Sequence, residues 1–139
     1  MIKVITFGVF DLLHYGHINL FRRAKAFGDV LIVAVQNDFD AVKNKPNIVL
    51  HDCLKERFMN ILKCDYVANV IEYSQIDEDI KQIAFDILVV GGDQKNEHFL
   101  KAIEWCLENN KEVIHLSRTE GISSSSIRED NYNLNKEPK

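Results

Sequence analysis

The sequence predicts an α/β chain, an open parallel sheet with helices on both faces, and three observations predict it. Short apolar, β-branched runs alternate with stretches of helical periodicity along the whole chain. One run, Val30–Gln36, is apolar almost throughout, the pattern of a parallel strand buried on both faces. Two runs close on glycine, Ile2–Phe7 on Gly8 and Ile87–Val90 on Gly91-Gly92-Asp93, so that a ligand can approach the backbone at the strand ends.

The elements follow in order. Ile2–Phe7 is the first strand, and a helical pattern begins near His17 and runs through Leu20, Phe21 and Ala24 to Gly28, a C-terminal capping residue. After the Val30–Gln36 strand, Asn37–Asp40 leads into a polar stretch with Lys43, Lys45 and Pro46 that reads as a mobile loop. Asp52 is placed to cap a helix ending near Leu62, with Leu54, Phe58, Ile61 and Leu62 on its apolar side. Tyr66–Tyr73 alternates like a strand, Asp77–Phe85 is helical and Ile87–Val90 is a short buried strand. Asn96–Glu108 is a helix with Phe99, Leu100, Ile103 and Leu107 at helical spacing, and Glu112–Leu116 is the last strand. Arg118–Ser126 leads into a short helix with a Ser126-x-x-Glu129 capping box, and the chain is polar from Asn131. Right-handed crossovers then make a Rossmann-like sheet with its crevice at the carboxyl ends of the strands. Residues 1–130 form a single domain and 131–139 a polar tail.

Composition bounds the partners. The chain has 139 residues, 46% hydrophobic and 27% charged, enough for one full core. A net charge of −4 and a pI near 5.7 argue against general nucleic-acid binding, so a cationic site must be local. The first residues alternate like a strand rather than a signal peptide, and no apolar run approaches a membrane span, so the expected compartment is the cytoplasm. Cys53, Cys64 and Cys106 have neither metal nor redox spacing and read as reduced packing thiols.

The chemistry concentrates at His14-Tyr15-Gly16-His17, where the first strand passes into the first helix. Two imidazoles three residues apart at a helix N-terminus can both point into the crevice, where backbone N–H groups and the helix dipole favour an anion. Gly16 removes the Cβ that would hold a phosphate off the backbone. The bare spacing also fits a surface pair or half of a metal site, but no His, Cys or acidic cluster has the spacing to complete a zinc site. Three further segments converge on the same crevice: the Lys43/Lys45 stretch, Gly91-Gly92-Asp93 and Arg118–Ser126. Alone, these also read as solvated lysines, a strand exit and a polar linker.

Gly8-Val9-Phe10-Asp11-Leu12-Leu13-His14-Tyr15-Gly16-His17 together with Arg118-Thr119-Glu120-Gly121-Ile122-Ser123-Ser124-Ser125 resembles the cytidylyltransferases of the HxGH nucleotidyltransferase superfamily, from Val4 to Ile127. The likeness is greatest to the bacterial branch that acts on glycerol 3-phosphate. It implies transfer of CMP from CTP to a small phosphorylated alcohol, with pyrophosphate released and the product used for cell-surface polymers. It also implies magnesium held mainly by the nucleotide, no protein metal ligands, and a homodimer. An acceptor phosphate is already an anion near neutral pH, so catalysis becomes alignment and charge neutralisation.

On this resemblance His14 and His17 donate to phosphate oxygens, Lys43 and Lys45 close over the triphosphate, and Arg118 offers a planar fork. Thr119, Ser123, Ser124 and Ser125 hold the β and γ phosphates, while Gly8, Val9, Phe10, Gly91, Asp93, Gly121 and Ile122 fall at the nucleotide. Asp11, Lys43, Arg57 and Asp65 fall on the acceptor side, Asp11 rather as a loop stabiliser than a base. Arg57 has the alternative of a surface ion pair with Glu56 or Asp52. The chain departs from the family at Asp65-Tyr66-Val67-Ala68-Asn69-Val70, where an Arg-Tyr-Val-Asp-Glu-Val segment is common, and Asp65 is expected to disfavour a second anion where it faces the cleft. Gly91-Gly92-Asp93 is closer to the heptose-phosphate adenylyltransferases. The alternatives are therefore adenylyl transfer to a sugar phosphate, or a nucleotide-binding module without turnover.

Overall fold

Strand order follows apolar content, with the most continuously apolar runs in the middle. A computed structural model describes residues 1–44, 50–91 and 96–117. Strands β1 (Lys3–Gly8), β2 (Val30–Gln36), β3 (Asn69–Tyr73), β4 (Ile87–Gly91) and β5 (Glu112–Leu116) form one sheet in the order β3-β2-β1-β4-β5. Every pairing is parallel, with Lys3 opposite Val30, Val4 opposite Ile87, Ile32 opposite Asn69 and Ile87 opposite Glu112. The helices are α1 (Tyr15–Lys25), α2 (Asp38–Asn44), α3 (Leu54–Leu62), α4 (Ile76–Asp79, continued by a 3-10 turn at Ile80–Gln82) and α5 (Glu97–Glu108).

The two-residue period of the strands divides their side chains between two cores. Val4, Leu31, Val33, Val35, Ile87 and Val89 face α1 and α3, meeting Phe21, Ala24 and Ile61. Ile5, Phe7, Ala34, Leu88 and Val90 face α4 and α5, meeting Ile76, Ile80, Phe99, Ala102 and Cys106. The sheet is thus covered on both faces, as expected. The chain steps outward from β1 to β3 and then crosses back to β4, so the switch of direction falls between β1 and β4, where open sheets of this kind bind ligands at the strand carboxyl ends.

Several local expectations are corrected. The polar stretch after β2 begins as a helix, α2: Asn37 caps it, its Oδ1 accepting from the Asp40 amide at 2.7 Å. Lys43 therefore sits in the last turn of a helix and not on a loop. Helix α1 starts at Tyr15 with His14 as its cap, and α3 is capped at Cys53 rather than Asp52. Strand β3 begins only at Asn69, and the helix expected at Asp77–Phe85 is reduced to α4 and its 3-10 turn. Leu62, Leu100 and Leu107 are more than half exposed, and Arg57, Ala102 and Cys106 take the inward positions.

Gly28 lies beyond the cap at Ala26; a Cβ there would come within 2.7 Å of Val4 Cγ2, so it is a close approach of backbone to strand that requires glycine. The cysteines are free: burial pushes the Cys106 thiol up to about 11 against a weaker opposite pull from Lys111, Cys64 packs half-buried against the α1–α3 core, and Cys53 is exposed at the cap of α3. Among the described residues no helix is long and apolar enough to cross a membrane.

Candidate active site

The turn after β1 is built around Phe10. Its ring is buried, 5.2 Å from Phe21 and 5.5 Å from His17, both edge-on. To reach that place the backbone takes a positive φ of 57° at Phe10 and 49° at Leu12, conformations that cost side-chain-bearing residues energy. Gly8 makes room: a Cβ there would lie 2.8 Å from the tip of the Phe10 ring.

Asp11 anchors the same turn across the chain, accepting from the amides of His51 and Asp52, each at 2.9 Å. Burial alone would raise its carboxyl, but those two amides, the charge of His51 and the Leu12 amide together hold it below the ordinary value of 3.8. A depressed carboxyl contributes stability that is present above its unfolded value and lost as pH falls through the folded one. Asp11→Asn is accordingly expected to flatten the acid side of the stability profile below about pH 4, measured by urea denaturation across pH. An unchanged acid slope would contradict this.

The two histidines form the N-terminal cap of α1. His14 Nδ1 accepts from the Gly16 amide at 2.9 Å, and His17 Nδ1 accepts from the His14 amide at 3.2 Å. Their rings stack 4.0 Å apart, 26° from parallel. A nitrogen that accepts from an amide carries no proton, so each neutral ring holds its proton on Nε2. The cap thus makes both imidazoles Nε2–H donors at a helix N-terminus, and protonating either Nδ1 would break it.

Arg57, expected near a substrate phosphate or in a surface ion pair, is instead fully buried. Its Nε donates to Asp52 O at 3.2 Å, its Nη1 to Val9 O and Gln36 O at 2.8 Å each, and its Nη2 pairs with the Asp38 carboxylate. Asp38 was not singled out from the sequence, although its place one residue after Asn37 at a strand end was the available signal. Gly91 closes β4 opposite Leu116, beside β1. Arg23 of α1 donates to Ser117 O at 3.1 Å, which ties the chain beside α1 just ahead of Arg118. Lys45, Asp93, Arg118, Thr119, Gly121, Ile122, Ser123 and Ser124 lie outside the described residues.

Asp65 does not join this group. It is exposed in the turn that precedes β3, and Ala68 just after it donates to Leu31 O, near the amino end of β2. That rim is opposite the one carrying Gly8, Gln36 and Gly91, because Asp65 precedes the amino end of a strand that runs parallel to the other four. The expectation that Asp65 opposes an anion in the cleft is corrected accordingly.

With this geometry the likeness to known proteins is specific. Residues 5–130 match the model of the Cytidylyltransferase-like family. The glycerol-3-phosphate cytidylyltransferase of Staphylococcus aureus is 40% identical over 95% of this chain and 96% of its own length. That of Bacillus subtilis is 40% identical over 94% of this chain and 97% of its own. The bifunctional protein HldE of Helicobacter hepaticus is 36% identical over 91% of this chain, which spans only 26% of that protein. Among solved structures, the lipopolysaccharide core biosynthesis protein from Thermoplasma volcanium superposes with a TM-score of 0.72 at 27% identity, over 86% of this chain and 99% of that one. The chain belongs to the cytidylyltransferase-like family of nucleotidyltransferases.

Proposed function

We propose that the protein transfers the cytidylyl group of CTP to glycerol 3-phosphate, forming CDP-glycerol and pyrophosphate. The observation that carries the reading is the likeness to glycerol-3-phosphate cytidylyltransferases, which extends over nearly the full length of both chains, whereas the HldE match is to a quarter of a larger protein.

In this reading an oxygen of the acceptor phosphate attacks the α-phosphorus of CTP, a new P–O bond forms, and the bond from the α-phosphorus to the bridging oxygen breaks as pyrophosphate leaves. Nε2–H groups of His14 and His17 donate to the phosphate oxygens, a preorganised stabilisation of charge moving toward the leaving group. Lys43 with Lys45 and Arg118 neutralise the triphosphate, Thr119, Ser123, Ser124 and Ser125 hold its outer phosphates, and Gly121 and Ile122 fall beside the nucleotide. Backbone at Gly8, Val9 and Phe10, with Gly91 and Asp93, lines the nucleotide pocket.

Magnesium fits as an ion carried by the nucleotide, since Asp11 is engaged by two amides and Asp38 by Arg57. Brought in with the nucleotide, it would supply further charge neutralisation. The enzyme works in the cytoplasm as a homodimer, with its domain in residues 1–130. CTP and ATP, each tried against glycerol 3-phosphate, amino-alcohol phosphates and heptose phosphates, test the assignment through pyrophosphate release. The expected maximum is CTP with glycerol 3-phosphate; release from ATP with a heptose phosphate alone would favour adenylyl transfer.

A further inference from the structure

Four backbone segments meet at one buried guanidinium. Arg57 is 0% exposed and binds Val9 after β1, Gln36 at the end of β2, Asp38 at the start of α2 and Asp52 before α3. These bonds use four of the five N–H donors of a rigid planar fork, and full burial leaves no surface on which a phosphate could rest. Two of the four segments lead directly to groups assigned to phosphate: the Val9 turn runs into His14 and His17, and α2 carries Lys43 in its last turn.

We infer that Arg57 is a positioning residue, which sets the spacing between the histidine turn and the lysine-bearing helix, with Asp38 as its hold on α2. The start of α2 has further attachments: the Asn37 cap, the Asn37 amide donating to Tyr73 O at 3.0 Å, and the hydrogen bond of 2.8 Å from Ser74 Oγ to Asp40. These keep the helix formed when the Asp38 pair is lost, while Arg57 retains its three carbonyl acceptors and so keeps the Val9 turn in place. Asp38 is therefore the point at which the spacing can be loosened without unfolding the protein. Its side chain is 49% exposed, which lets an amide replacement find water.

The inference rests on the proposed cytidylyl transfer for its kinetic part and is independent of it for the rest. In Asp38→Asn, hydrogen exchange of the α2 amides is expected to speed up about tenfold while amides of α1 and β1 are unchanged. With CTP and glycerol 3-phosphate, the variant should lose about tenfold in kcat/KM, and in a Lys43→Ala background the same change should cost almost nothing, since the lysine it positions is gone. Arg57→Lys, which keeps the charge but loses the fork that spans the four acceptors, should speed α2 exchange and lower kcat/KM at least as much as Asp38→Asn, and should loosen the Val9 turn as well. Unchanged α2 exchange in Asp38→Asn would overturn the inference whatever the enzyme's substrate. So would an equal cost of Asp38→Asn with and without Lys43. A wild-type protein inert with CTP would instead overturn the function, leaving the exchange measurement to decide on Arg57.

Discussion

Replacing His17 by alanine lowers kcat by about two orders of magnitude or more, the loss expected for a donor used mainly in the transition state. The same ring also caps helix α1 through Nδ1, so the alanine variant loses about 1 kcal/mol of stability as well. His17→Asn separates the two roles. Its side-chain oxygen can accept from the His14 amide in place of Nδ1, but it has no group at the position of Nε2. Thermal melting of the asparagine variant should stay near wild type while its turnover is as low as that of the alanine variant. Near wild-type turnover in either, at saturating substrates, would contradict the role given to Nε2–H.

Arg57→Leu removes the donor shared by four segments and is expected to destabilise the fold by about 3–5 kcal/mol, because carbonyls of three segments lose their donor at once, while the half-exposed Asp38 carboxylate returns to water. The carbonyls of Val9, Gln36 and Asp52 lose their partner, and leucine fills the volume without satisfying any of them. Against the usual 5–15 kcal/mol of a domain this is a large fraction, read as a fall in the denaturant midpoint at unchanged slope. A shift worth less than about 1 kcal/mol would show that the network can be resolvated and is not a structural hub.

The middle of the sheet was legible because a strand buried on both faces leaves a continuous apolar run between polar turns: Val30–Gln36 is read from the sequence to the residue, as is the edge strand Glu112–Leu116, which is exposed at Glu112 and His115. Helix α2 was not, because a short polar helix owes its existence to attachments and not to periodicity, here the Asn37 cap and the hydrogen bond from Ser74 to Asp40, while the Asp38–Arg57 pair fixes where it sits. Arg57 itself occupies an inward position on α3 that helical periodicity reserves for an apolar residue, and its acceptors at Val9 and Gln36 lie 48 and 21 residues away in the chain. Such a hub has no local signature. The histidine pair was visible as a motif, but the state of its rings was not, since it depends on which backbone amides face Nδ1. Asp65 was misplaced for a simpler reason: it precedes the amino end of a parallel strand, and the crevice lies at the carboxyl ends.

The central claim is that the acceptor's own phosphate oxygen becomes the bridge to the α-phosphorus of CTP. Glycerol 3-phosphate carrying oxygen-18 on its phosphate, incubated with CTP, magnesium and the protein, tests it directly by mass spectrometry of both products. The account predicts that CDP-glycerol retains all of the label, including the bridging oxygen, and that pyrophosphate forms in equal amount with none. Label in the released pyrophosphate, or consumption of CTP without a labelled cytidine diphosphate diester, would contradict it.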